Sequence, residues 1–123
     1  MMKGMVASLA AVAWISLAAF SASTDVSGTW DLTVESEQST ANPSLTLVQS
    51  GEQLSGTYRG RMGQYRIEGT IRGNDIRFSV TVRFQDQPVV VIYSGTVDTD
   101  SMSGTVQFGD YGSGTWTAKR RST

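Results

Sequence analysis

The stretch Gln64–Phe84, QYRIEGTIRGNDIRFSVTVRF, decides the fold. Apolar and polar residues alternate on both sides of Gly73-Asn74, which is the period of a half-buried strand and not of a helix. A two-residue turn containing glycine joins such strands as a tight antiparallel hairpin. The register follows: Arg72 faces Asp75, Ile71 faces Ile76, Gly69 faces Phe78, Ile67 faces Val80 and Tyr65 faces Val82. One face is then apolar throughout. The other, from Arg66 and Glu68 through Arg77 to Arg83, is a solvated outer surface whose charge pairs contribute well under about 1 kcal/mol each.

The same alternation runs outward in both directions and predicts eight strands: Gly28–Glu35, Ser44–Gln49, Gln53–Arg59, Gln64–Arg72, Asp75–Phe84, Val89–Val97, Met102–Phe108 and Gly114–Arg120. Short connections make each strand the antiparallel neighbour of the next. Carried along the chain, the parity turns Trp30, Leu32, Val34, Leu45, Leu47, Leu54, Tyr58, Tyr65, Ile67, Ile71, Ile76, Phe78, Val80, Val82, Phe84, Val89, Val91, Tyr93, Val97, Met102, Val106, Phe108 and Trp116 inward. A sheet with one apolar face, two free edges and no helix to cover it is resolved by closing on itself. The expected fold class is therefore all-β, a closed antiparallel eight-stranded up-and-down barrel; two packed sheets are the alternative. A phrase recurs at Ser27–Trp30, Ser55–Tyr58, Glu68–Ile71, Ser94–Val97, Ser103–Val106 and Ser113–Trp116, with Gly inward and Thr outward in each copy. Inward glycines let a small barrel coil and leave room beside large neighbours, and the expected register sets Phe78 between Gly69 and Gly95.

Upstream of the barrel, Met1–Lys3 form a short positive region and Gly4–Phe20 an uncharged apolar run followed by small residues. That is the pattern of a secretory signal over residues 1–23, cleaved after Ser21 or Ser23, and it predicts a single domain over 24–123 in the periplasm or the medium. The alternative, a retained anchor, has only about 17 apolar residues and no positive cluster after it. The chain has 123 residues, a formal net charge of −1, no cysteine and no histidine. Thiol nucleophiles, histidine-based triads, Cys/His zinc sites and disulfides are excluded, and a nucleic-acid binder would carry a basic excess.

Gly28-Thr29-Trp30 at the start of the first strand and Lys119-Arg120 in the last resemble the G-x-W and closing arginine of the calycin superfamily, which comprises lipocalins, fatty-acid-binding proteins and avidins. The local likeness is greatest to avidins, through Leu54–Tyr58 and Trp116–Arg120. The resemblance implies a barrel in which Arg120 packs across Trp30 and closes one end. It does not extend to biotin: Leu32 stands where the avidin site has an asparagine, and the tryptophan cage has no counterpart. Bacterial metalloprotease inhibitors are similar in size and export, but their disulfide and N-terminal inhibitory peptide are not visible here.

An eight-stranded barrel is either just filled by side chains or holds one small ligand, and both readings stay open at this point. The connections Ser36–Pro43, Gly60–Gly63, Gln85–Pro88 and Gly109–Ser113 fall at one end and form the expected mouth. Tyr58, Tyr65, Phe84, Tyr93, Phe108 and Trp116 are the candidate residues for binding a small apolar or amphipathic ligand there. Arg59 and Arg61 beside the mouth suit an anionic head group or are solvated charges. No catalytic residue, cofactor or metal is expected: Asp31 and Glu35 point outward, Glu37 lies beyond them, and Asp98, Asp100 and Asp110 lack calcium-loop spacing. Val90 and Ile92 are apolar on the face that should be wet, which suggests a homodimer or partner contact and an alternative role as an interaction module.

Overall fold

In a computed structural model, which describes residues 24–61 and 63–121, every regular element is a strand. The expected signal segment, residues 1–23, lies outside the described residues. The strands are β1 (Gly28–Glu35), β2 (Thr40–Ala41), β3 (Ser44–Ser50), β4 (Gln53–Gly60), β5 (Gly63–Arg72), β6 (Asp75–Phe84), β7 (Gln87–Asp98), β8 (Ser101–Phe108) and β9 (Ser113–Arg120). Each of β3 to β8 pairs antiparallel with the next, and β9 pairs back onto β1 from Trp30↔Arg120 to Glu35↔Thr115, so the sheet closes.

Nine strands make an eight-stranded barrel because β2 and β3 are one strand with a break. Both pair with β1 in a single unbroken register, Glu35↔Thr40 and Val34↔Ala41 continuing into Asp31↔Ser44 and Gly28↔Leu47. Between them the Leu32 amide still donates to the Pro43 carbonyl at 2.9 Å. Pro43 has no N–H to return, and the ladder is interrupted there. The expected eight-residue connection thereby shrinks to a four-residue turn, Ser36–Ser39, closed by the Ser36 amide on the Ser39 carbonyl.

A second connection also tightens. Gln85 and Asp86 both take positive φ, 54° and 66°, as the central residues of a two-residue hairpin turn require. Phe84 therefore pairs with Gln87, and β7 begins two residues earlier than expected. This moves Gly95 opposite Ile76 and puts Tyr93, in place of Gly95, beside Phe78. A shift of two residues preserves sidedness, so the inward set is unaffected. The β5–β6 ladder holds from Arg72↔Asp75 to Ile67↔Val80 and ends there, before the expected Tyr65–Val82 pair.

Strand tilt is visible in one row of partners, which climbs from Gly28 at the foot of β1 through Leu47, Gly56, Ile67, Val80 and Val91 to Phe108 at the head of β8. Such stagger is what closing eight strands demands. The lumen it encloses is packed. Of the expected inward residues, those from Trp30 and Leu32 to Val106 and Trp116 are buried, with Tyr58, Tyr65, Val82 and Phe108 partly so and Phe84 at 40% exposure. Val26 and Ala118 join them.

Val26 is buried because residues 24–27 cross the lower end. The Thr24 amide donates to the Gly73 carbonyl, and the Trp30 indole donates to the Val26 carbonyl at 3.0 Å. Arg120 fixes this plug: its guanidinium lies 4.5 Å over the Trp30 ring and donates to the carbonyls of Ser27, Asp25 and Thr99 and to the Asp100 carboxylate. Thr99 holds φ at 52°, a conformation costly for a β-branched residue, in the very turn that Arg120 clamps.

The middle of the lumen is aromatic. Phe78 and Tyr93 stack at 4.7 Å between centroids, and Trp116 meets both edge-on at 5.7 and 5.5 Å. Glycines make the room. Trp116 on β9 faces Gly104 on β8, which faces Gly95 on β7, and the indole spans both to donate to the Ser94 carbonyl at 3.2 Å. A Cβ on Gly104 would stand 1.9 Å from that same carbonyl oxygen. Gly104→Ala is therefore expected to destabilise the fold by more than about 2 kcal/mol, whereas Thr99→Gly, which relieves the strained turn, should stabilise it by roughly 0.5–1 kcal/mol. Urea unfolding followed by tryptophan fluorescence measures both signs.

Candidate functional site

Space remains at the mouth, on one side. Where the β5–β6 ladder stops at Ile67↔Val80, β6 and β7 continue as a pair to Phe84↔Gln87. The β7–β8 ladder likewise starts only at Val91↔Phe108. The hairpin tip from Val82 to Val90 thus has no ladder partner on either side, and Pro88 sits in a stretch that β8 does not accompany. Side chains that would complete a core lower down line a hollow here.

That hollow is a cleft of about 740 Å³, within the range of small-ligand sites. Val82, Val89, Val91 and Phe108 form its apolar part, while Ser36, Glu37, Gln38 and Ser39 of the β1–β2 turn and Tyr111, Gly112 and Ser113 of the β8–β9 turn face them. The β8–β9 turn is held by the Phe108 amide on the Gly112 carbonyl and the Tyr111 amide on the Phe108 carbonyl, at 2.8 and 2.9 Å. It presents the Tyr111 ring to Phe84 across the cleft edge, 5.5 Å apart and nearly perpendicular. Both rings are solvent-exposed, Tyr111 by 62%.

Of the six residues singled out for ligand binding, Phe84 and Phe108 line this cleft. Tyr93 and Trp116 lie deeper in the packed aromatic layer. Tyr58 and Tyr65 face each other across β4 and β5 under the neighbouring hairpin, with the Tyr58 ring against Gly60, where a Cβ would approach it to 3.1 Å. The Tyr58 and Tyr93 rings lie 6.5 Å apart between centroids, and burial pushes both phenols above the ordinary tyrosine range. Sequence reasoning weighs Glu37 only as a catalytic acid and sets it aside, and does not single out Tyr111; both stand in turns outside the strand period. The signal for Tyr111 is its setting, a large ring in Gly109-Asp110-Tyr111-Gly112 with no core to fill.

The carboxylates are distributed otherwise. Asp31 pairs with Arg121 on the outer wall, and the guanidinium holds its carboxyl below the usual range. Asp100 is bound to Arg120 at 2.9 Å. Among the described residues no three acidic side chains converge to hold a metal. On the outer face of β7, Val90 is 47% exposed and Ile92 half-buried, with Thr81, Ser79 and Gln107 as their cross-strand neighbours.

No family model matches the chain, and no curated protein matches it.

Because the folded state keeps Tyr58 and Tyr93 protonated more firmly than the unfolded chain does, their contribution to stability is complete below about pH 10 and declines as pH rises above it. Alkaline unfolding should coincide with the appearance of tyrosinate absorbance from these two rings, and Tyr93→Phe should flatten the fall in stability above pH 10. An unchanged slope in that variant would contradict the burial argument.

Proposed function

We propose that the protein is an exported, non-catalytic barrel that holds one small hydrophobic or amphipathic molecule in the cleft at its mouth. The observation that carries this reading is the cleft itself: an apolar hollow of about 740 Å³ with the Phe84 and Tyr111 rings standing in solvent at its edge. Exposed paired aromatics above an apolar floor are costly for a surface with nothing to bind. Beneath them the Phe78–Tyr93–Trp116 layer occupies the lumen, so the ligand rests on the packed core and does not penetrate it. The leader-like segment at residues 1–23 supports a periplasmic or extracellular setting, and the calycin-like features at Gly28–Trp30 and Arg120 support kinship with barrels that carry ligands at an open end.

Exposure of Val90 on the outer face of the same free hairpin supports a second reading, an interaction module that meets a second copy or another protein through Val90 and Ile92. Light scattering on the wild type and on Ile92→Lys tests the contact with a second copy, which expects a wild-type dimer that the variant reduces to a monomer.

N-phenyl-1-naphthylamine, a neutral apolar fluorophore, is expected to bind saturably at one site. Phe84→Ala combined with Tyr111→Ala should weaken it by about tenfold with the urea midpoint little changed, because neither ring belongs to the buried core. The absence of a saturable signal, or an affinity unaltered in the double variant, would overturn the ligand reading.

A further inference from the structure

We infer that the cleft selects amphiphiles with a cationic head, an amine or a quaternary ammonium, over those with an anionic one. This rests on the ligand-binding reading above and specifies its chemistry. Among the described residues that line the cleft, Glu37 is the one charged group, accompanied by the neutral polar side chains of Ser36, Gln38, Ser39 and Ser113. None of them is lysine or arginine. An alkyl or aryl tail laid on Val82, Val89, Val91 and Phe108 brings its head to the edge where Glu37, Phe84 and Tyr111 stand.

Those three groups favour positive charge for two independent reasons. A carboxylate attracts a cation directly, and an aromatic ring attracts one through its electron-rich face, most effectively when the cation is large and weakly hydrated. The arginines of this end of the barrel are not among the residues that line the cleft. Arg83 has the outward parity and donates to the Asp86 carbonyl at 3.0 Å, while Arg59 and Arg61 belong to the β4–β5 hairpin, outside the cleft lining. A fatty-acid carboxylate in this position would face Glu37 with no counter-charge from the lining.

The test is displacement of N-phenyl-1-naphthylamine at pH 7 by three ligands with ten-carbon chains, the carboxylate carbon counted in decanoate, each below its micelle concentration: decyltrimethylammonium, decanoate and decyl maltoside. Decyltrimethylammonium is expected to bind about tenfold more tightly than decanoate, and Glu37→Gln, an exposed-turn substitution whose folding circular dichroism checks, should bring the ratio of the two close to one. Decanoate binding as well as the cation, or a preference that survives in Glu37→Gln, overturns the inference. If decyl maltoside displaces the probe without any preference by charge, the cationic assignment alone falls. If the probe itself does not bind, the ligand reading falls with it.

Discussion

Everything in this fold depends on the sheet closing through β1 and β9. Strands whose alternate residues are apolar leave a continuous oily face, and among the described residues only other strands are present to cover it. Pairing Trp30 with Arg120 and Val34 with Trp116 removes both free edges and turns the oily faces of all strands toward each other. The same juncture organises the lower end, because the Arg120 guanidinium then reaches the Trp30 ring, the Ser27 and Asp25 carbonyls and the Asp100 carboxylate together. With no disulfide in the chain, this latch and the core hold the cylinder.

Once the wall is closed, what fills it determines where anything else can bind. Glycines at positions such as 95 and 104 bring strands close enough that only an aromatic ring lying across them completes the packing, and Trp116 does so. The stacked Phe78 and Tyr93 rings occupy the space beside it. Such contacts contribute about 0.5–1.5 kcal/mol per pair beyond the area they bury. The unfilled volume is displaced upward, to the place where the β6–β7 hairpin outruns its neighbours and two four-residue turns stand opposite.

Sidedness was the legible part. The hairpin around Gly73-Asn74 sets which residues face inward, and a single rule of alternation then runs correctly through Trp30, Phe78, Tyr93 and Trp116. Connections were less legible, for physical reasons. Pro43 and Pro88 read locally as strand terminators, yet each sits in a position where a missing N–H is tolerated, so the strands continue to Ala41 and Gln87. Gln85-Asp86 lacks the glycine that usually marks a hairpin turn, and its two positive φ angles are imposed by the flanking ladder. Because the resulting shift is by two residues, an error in loop length left the core assignment intact while hiding the cleft. Glu37 and Tyr111 belong to turns, where no period assigns a direction to a side chain. The expected site therefore centred on large inward rings, of which Phe84 and Phe108 reach the cleft and Tyr93 and Trp116 are spent on packing.

The central claim is that binding takes place above a closed aromatic layer and on one side of the mouth. Mapping amide chemical-shift changes by two-dimensional NMR during titration with decyl maltoside addresses it most directly. The account predicts changes confined to residues 36–39, 82–91 and 108–113, with Trp30, Arg120 and the plug at 24–27 silent. Changes centred on Trp30 and Trp116, or spread evenly down the lumen, would contradict it.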